Sequence, residues 1–172
     1  TLVSLGGGAK DLTLRQITTS RGEMFLLELD VDVKDAMGAN IVNSMAENLA
    51  KLIQSMIYGK VRAKIVSNLI IHRLSQCTAI FDKEELGGTQ IVQNILDISA
   101  LGEADPYRAA THNKGIMNGI TALALATGND TRAIEAAAHA YASLDGKYKP
   151  LSTFSEDEQG NLVGKISIPL AM

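Results

Sequence analysis

Between Met24 and Val33 the chain alternates, with Leu27, Leu29, Val31 and Val33 on one side and Glu28, Asp30 and Asp32 on the other. A period of two is that of a strand with one buried face, so the segment following the Gly6-Gly7-Gly8 turn reads as a half-buried strand. From Ile41 the period lengthens. Ile41, Val42, Met45, Leu49, Leu52, Ile53, Met56 and Ile57 recur at three- and four-residue steps, which predicts an amphipathic helix, and Gly59 suits its C-terminal cap. Val61, Ala63 and Ile65 then alternate with Arg62, Lys64 and Val66, predicting a second strand of the same lobe. Strand, helix and strand make a compact α+β unit.

A boundary falls near Asn68. Beyond it, residues 72–81 predict a strand, and residues 89–100 a helix whose inward face carries Ile91, Ile95 and Ile98. Asp105-Pro106 introduces a long helical segment ending at Thr127-Gly128, and Asn129 or Asp130 can cap a further helix through Tyr141, with Gly146 just beyond it. The tail from Ser152 to Pro169 reads as a hairpin turning through Asp157 to Asn161. The expected organisation is α+β, with one lobe over residues 1–67 and a helix-rich domain over residues 68–172.

Composition narrows the function classes. A chain of 172 residues can bury a sizeable core without disulfides or metal, and 46% apolar with 20% charged residues is ordinary for a globular protein. The net charge of −3, with basic residues scattered, offers no footprint for nucleic acid. No stretch approaches the roughly 18 consecutive apolar residues of a membrane span, so no membrane attachment is expected. Cys77 is the single cysteine and cannot close an intrachain disulfide; this fits a reducing compartment, with cytoplasm as the default, and a likeness to a small core residue. His72, His112 and His139 lack ligand-like spacing, so no metal site is expected. No GxSxG elbow is present. The opening at Thr1, inside a Gly-rich stretch, suggests a piece of a longer protein.

Three segments can carry chemistry. Asp35-Ala36-Met37-Gly38-Ala39-Asn40 stands where a strand gives way to a helix. Small residues there let a ligand approach the backbone, and exposed N–H groups at a helix start favour an anion such as a pyrophosphate. The simpler alternative is a turn, with Asp35 as cap and Gly38 allowing close packing. It is not a GxGxxG fingerprint, which disfavours an ordinary Rossmann fold. In the second segment Thr111, Lys114, Asn118 and Thr121 form a polar stripe at helical spacing. The surrounding sequence is apolar enough to predict a helix buried on most sides, with the stripe lining a cavity or interface. A lysine held there can stabilise charge developing on a carbonyl oxygen; otherwise it stands on a solvated face. Third, Asp130 can be a helix cap or can orient Lys114 from sixteen residues away.

Asp35-Ala-Met-Gly-Ala-Asn40, Thr111-His-Asn-Lys-Gly-Ile-Met-Asn-Gly119 and Ala126-Thr-Gly-Asn-Asp130 resemble three ordered motifs of the class II 3-hydroxy-3-methylglutaryl-CoA (HMG-CoA) reductases. The similarity continues through Ala138-His-Ala-Tyr141 and Leu162-Val-Gly164 and so covers nearly the whole chain. The resemblance implies a small non-Rossmann, ferredoxin-like lobe that binds NADH or NADPH through Asp35, Met37, Gly38, Ala39 and Asn40. It implies Lys114 as the catalytic lysine with Asp130 as its partner, and Arg108, Asn118 and Asn68 as contacts to the hydroxymethylglutaryl group. The implied reaction interconverts HMG-CoA with mevalonate and CoA, without metal, in a homodimer or higher oligomer whose active sites draw on two chains. The family also uses a glutamate from an upstream loop and a histidine near the C-terminus, and neither motif occurs here. The isolated chain is therefore expected to be inactive. A non-catalytic CoA- or nucleotide-binding or dimerisation module on the same scaffold is the alternative.

Overall fold

Antiparallel pairing organises both parts of the chain. The structure, a computed structural model, describes residues 2–172 and divides into two units, Thr1–Ser67 and Asn68–Met172. In the first, β1 (Gly8–Thr19) pairs with β2 (Gly22–Asp32), with Thr19 opposite Gly22. Gly22 takes φ +100°, a conformation that relieves the reversal after Ser20-Arg21 and costs a residue without Cβ nothing. β2 follows the alternation read from the sequence, whereas β1 was not anticipated. Its apolar positions Leu12 and Leu14 share a face, but Gln16 then takes that face and Ile17 the other, so the period breaks mid-strand.

Helix α1 (Ala39–Met56) carries the predicted amphipathic pattern but ends earlier than Gly59, with Ile57 already extended. The strand expected over Val61–Val66 is absent; these residues are irregular. Their alternation reflects extended backbone without a ladder: the Val66 N–H donates to the Asn43 carboxamide oxygen on α1, at 2.7 Å, instead of to a neighbouring strand.

The second unit places β3 (Leu74–Phe81), β4 (Ser152–Glu156) and β5 (Leu162–Pro169) in one antiparallel sheet of order β3-β5-β4. The β4–β5 turn falls where the sequence predicted it, and Asp157 closes it by accepting hydrogen bonds from the N–H groups of Gln159 and Asn161. Helices α2 (Lys83–Leu86), α3 (Thr89–Ala104), α4 (Pro106–Ala126) and α5 (Thr131–Ala142) accompany the sheet. Both sheets being antiparallel, the chain is α+β and has no parallel, doubly wound sheet.

The core joins Met117 and Ala124 of α4, Ile134, Ala138 and Ala142 of α5, and Leu151 and Ile168. α3 is rotated from the expected face: Val92 and Gly102 are buried, while Ile91 and Ile98 are 40% and 48% exposed. Gly102 faces the Pro150 segment, the point where a Cβ would stand lying at an ordinary contact distance of 3.4 Å from the Pro150 ring. Cys77 is exposed on the edge strand β3, not a core residue; the chain's central strand is β5. α4 is also less enclosed than its composition suggested, with Leu123 and Leu125 exposed. Asn113 is its one buried polar side chain among the described residues. Its carboxamide accepts from Leu151 N–H at 2.8 Å and donates to the Lys149 carbonyl at 2.9 Å, pinning the segment before β4 to the middle of α4. No helix among the described residues is long and apolar enough to cross a membrane.

Candidate functional site

In the first unit the segment from Asp35 to Asn40 leads into α1. Gly38, not Asp35, is the N-cap of that helix, at φ +95° and without a side-chain hydrogen bond to the first turn. A Cβ at this position would meet the Val33 side chain at 2.7 Å, so the glycine is required by both conformation and space. The first turn of α1 contains no acidic residue. Its leading N–H groups thus keep their partial positive charge, which neither a capping oxygen nor a carboxylate offsets. Asp35 and Asn40 are exposed, and Met37, Gly38 and Ala39 half-buried. Lys34 enters the loop at φ +55° and binds Asp32 twice, by an ion pair at 2.9 Å and through its own N–H at 3.0 Å. Those bonds, with Lys10 nearby, hold the Asp32 carboxyl below its ordinary value. Sequence reasoning missed this clasp, because a Lys at positive φ leaves no trace in composition.

In the second unit, Asp105 caps α4 by accepting from the N–H groups of Tyr107 and Arg108, and Pro106 follows where its missing N–H costs nothing. These signals fix the start of the helix and so the phase of its stripe. Lys114 and Asn118 are exposed and Thr121 half-buried. Across from them stand Glu135 and His139 of α5, and Met117 and Leu125 add apolar surface to a shared depression of about 410 Å³. Thr111 is not part of it; its hydroxyl donates to the Tyr107 carbonyl one turn back. Arg108 is half-buried elsewhere on α4, one turn from His112. His112 has its pKa lowered by burial and then by the Arg108 charge, and its Nε2 lies 2.8 Å from Ser152 Oγ.

Asp130 caps α5 by accepting from the N–H groups of Arg132 and Ala133, each at 3.1 Å. Among the described residues no ion pair joins it to Lys114. The helix runs unbroken from Lys114 to Ala126, about 18 Å at 1.5 Å per residue, so one lysine side chain does not span the gap within a chain. Asn68 lies exposed in a bend and is not among the residues lining the depression. Glu135 and His139 were the residues sequence reasoning left out. Their four-residue spacing was visible, but which face of α5 turns toward Lys114 depends on how two helices pack.

The sequence model of the hydroxymethylglutaryl-coenzyme A reductase family matches residues 1–172, the whole chain. The chain belongs to that family. Among HMG-CoA reductases, it is 56% identical over 171 residues to the 3-hydroxy-3-methylglutaryl-coenzyme A reductase of Archaeoglobus fulgidus, a match covering 99% of this chain and 39% of the relative. A probable HMG-CoA reductase of Borreliella burgdorferi is 42% identical, with 96% and 39% covered. The chain thus spans about two fifths of the length of the curated relatives it matches. An HMG-CoA reductase structure from Streptococcus pneumoniae superposes with a TM-score of 0.93 at 42% identity, covering 98% of this chain and 41% of that one. A class II HMG-CoA reductase from the same organism, bound to NADPH in open conformations, gives 0.89 at 42% identity, with 99% and 47% covered.

Proposed function

We propose that the chain is the part of an HMG-CoA reductase that supplies the catalytic lysine and the dinucleotide-binding loop. The reaction takes HMG-CoA, two NAD(P)H and two protons to mevalonate, CoA and two NAD(P)⁺. The observation that carries this reading is the depression in which Lys114 and Asn118 stand together on one face of α4, in a chain that the reductase family model spans from residue 1 to 172. The nicotinamide supplies hydride when bound. Each hydride addition puts negative charge on a carbonyl oxygen, and the Lys114 ammonium offsets that charge at the moment it forms. Asn118 donates to the same acyl group. Arg108 and Asn68 do not line the depression in the single chain; both are proposed as substrate contacts in the completed site, Arg108 through a forked pair to the free carboxylate.

Asp130 orients Lys114 in this reading, and the length of helix between them favours an Asp130 contributed by a second copy of the chain. A homodimer, or a higher oligomer built from it, then completes the site. Asp35, Met37, Gly38, Ala39 and Asn40 are proposed to receive the dinucleotide. The fit rests on the uncapped, acid-free start of α1 and on a glycine that no side chain can replace. We place the protein in the cytoplasm, working without metal.

In the full-length enzyme, Lys114→Ala should abolish turnover and leave NAD(P)H affinity nearly unchanged, as expected of a group acting on the transition state. Unchanged turnover would remove Lys114 from the chemistry and favour a non-catalytic CoA-binding or dimerisation module. Gly38→Val should weaken dinucleotide binding measured by fluorescence titration; equal affinity would return the loop to a plain turn. The isolated chain should leave NADH unoxidised in the presence of HMG-CoA.

A further inference from the structure

Beside Lys114 the depression holds a histidine that the reading above does not use. His139 Nδ1 lies 2.7 Å from the Tyr148 hydroxyl, and the two rings stack at 6.0 Å between centroids with 24° between planes. One hydrogen bond and one stacking contact fix both side-chain torsions of the imidazole. Its other nitrogen, Nε2, is 4.0 Å from Glu135 Oε1, too far for a hydrogen bond. Among the described residues Nε2 has no hydrogen-bond partner. A neutral imidazole has one donor and one acceptor nitrogen, so a phenol donating to Nδ1 leaves the hydrogen on Nε2. Tyr148 itself is anchored, since it packs against the core formed by α4 and α5.

We propose that His139 is a further substrate-contacting residue of this site, aimed by Tyr148 so that its Nε2–H donates to an oxygen of the acyl ligand held beside Lys114. Tyr148 is then a positioning residue acting through His139, and Glu135 keeps the exposed side of the ring polar. The ligand class is an acyl group bearing carbonyl and carboxylate oxygens, because the facing groups Lys114, Asn118 and His139 offer donors and the flanking Met117 and Leu125 accommodate carbon. This rests on the depression being the acyl site.

Two measurements test it. In a long-range ¹H–¹⁵N spectrum of the labelled chain, His139 should show an acceptor-type Nδ1 and a protonated Nε2, and Tyr148→Phe should turn that single tautomer into a mixture. A protonated Nδ1 overturns the proposal. In the full-length enzyme, His139→Ala should raise the KM for HMG-CoA about tenfold, the loss of one good hydrogen bond, with kcat and the NADPH KM changing little. His139→Gln, which can present an N–H near the same point, should recover most of the loss. Tyr148→Phe should give an intermediate rise, and it decides the matter if His139→Ala does not fold. If Lys114→Ala abolishes turnover while His139→Ala and Tyr148→Phe leave the HMG-CoA KM within about twofold, the inference fails and the reductase reading stands. If Lys114→Ala leaves turnover intact, both fail.

Discussion

In the second unit Ile134 is 1% exposed, in a core with Met117 and Ala124 of α4 and Ile168 of β5, two other stretches of chain. In the first, Phe25 is 68% and Leu14 65% exposed, and Ala50 is the one buried hydrophobic residue among those described. The second unit therefore carries its own core, and burial locks α4 against α5 at the place where Lys114 faces Glu135 and His139. The first unit is ordered by its strand ladder, by cross-strand pairs such as Arg15 with Glu28 at 2.7 Å, and by the Asp32–Lys34 clasp. A two-stranded sheet with so little buried apolar surface is marginal by itself. One site is thus built on a packed scaffold and the other on a backbone conformation.

The largest effect should come from the packed side. Ile134→Ala removes a fully enclosed side chain and should cost about 3 to 4 kcal/mol, read from urea unfolding followed by α-helical circular dichroism. A loss below about 1 kcal/mol would mean that the α4–α5 core is not the stabilising centre of that unit. Asn113→Ala should follow at about 2 to 3 kcal/mol, since it leaves the Leu151 N–H and the Lys149 carbonyl without their partner in a buried place. It should also loosen residues 147–151, including Tyr148, and this would appear as faster amide exchange there. On the other side, Phe25→Ser should change stability by no more than about 0.5 kcal/mol, because the ring it removes is already in water. A loss several times larger would show that the hairpin face is covered in solution and would dissolve the contrast.

The same contrast explains what could be read in advance. Helix ends were legible wherever their signals are local: Asp105-Pro106 and Asp130 sit next to the N–H groups they serve, and Asp157 next to the turn it closes. Register and coverage were not. β1 escaped notice because its apolar positions change face between Leu14 and Ile17. Residues 61–66 were over-read because alternation reports extended backbone and is silent on whether a neighbouring strand exists. The face of α3 was off by one position because Ile91, Ile95 and Ile98 keep helical spacing whichever row turns inward, and the burial of Val92 and Gly102 depends on what packs against the helix. For the site, the Lys114 stripe was visible on α4 alone, but its opposite wall was not, since Glu135 and His139 reach it only through helix pairing. Asp130 was legible as a cap, and the cap is what the single chain displays.

The smallest expected effect isolates one titrating group on the packed side. Burial, assisted by the Arg108 charge, lowers the pKa of His112 below the ordinary imidazole value of about 6.5. The folded state therefore binds this proton less readily than the unfolded chain does. Above about pH 6.5 both states are neutral at His112 and it adds no pH dependence; as the pH falls from there toward the lower folded value, the unfolded state gains the proton first and stability declines. His112→Gln keeps a polar group within reach of Ser152 and removes the titration. Its urea midpoint should fall less steeply than that of the parent chain as the pH drops below about 6.5, with the two curves parallel above it. Parallel curves throughout would mean that the imidazole titrates alike in both states, and that the wall of α4 facing β4 is as open to water as the hairpin of the first unit.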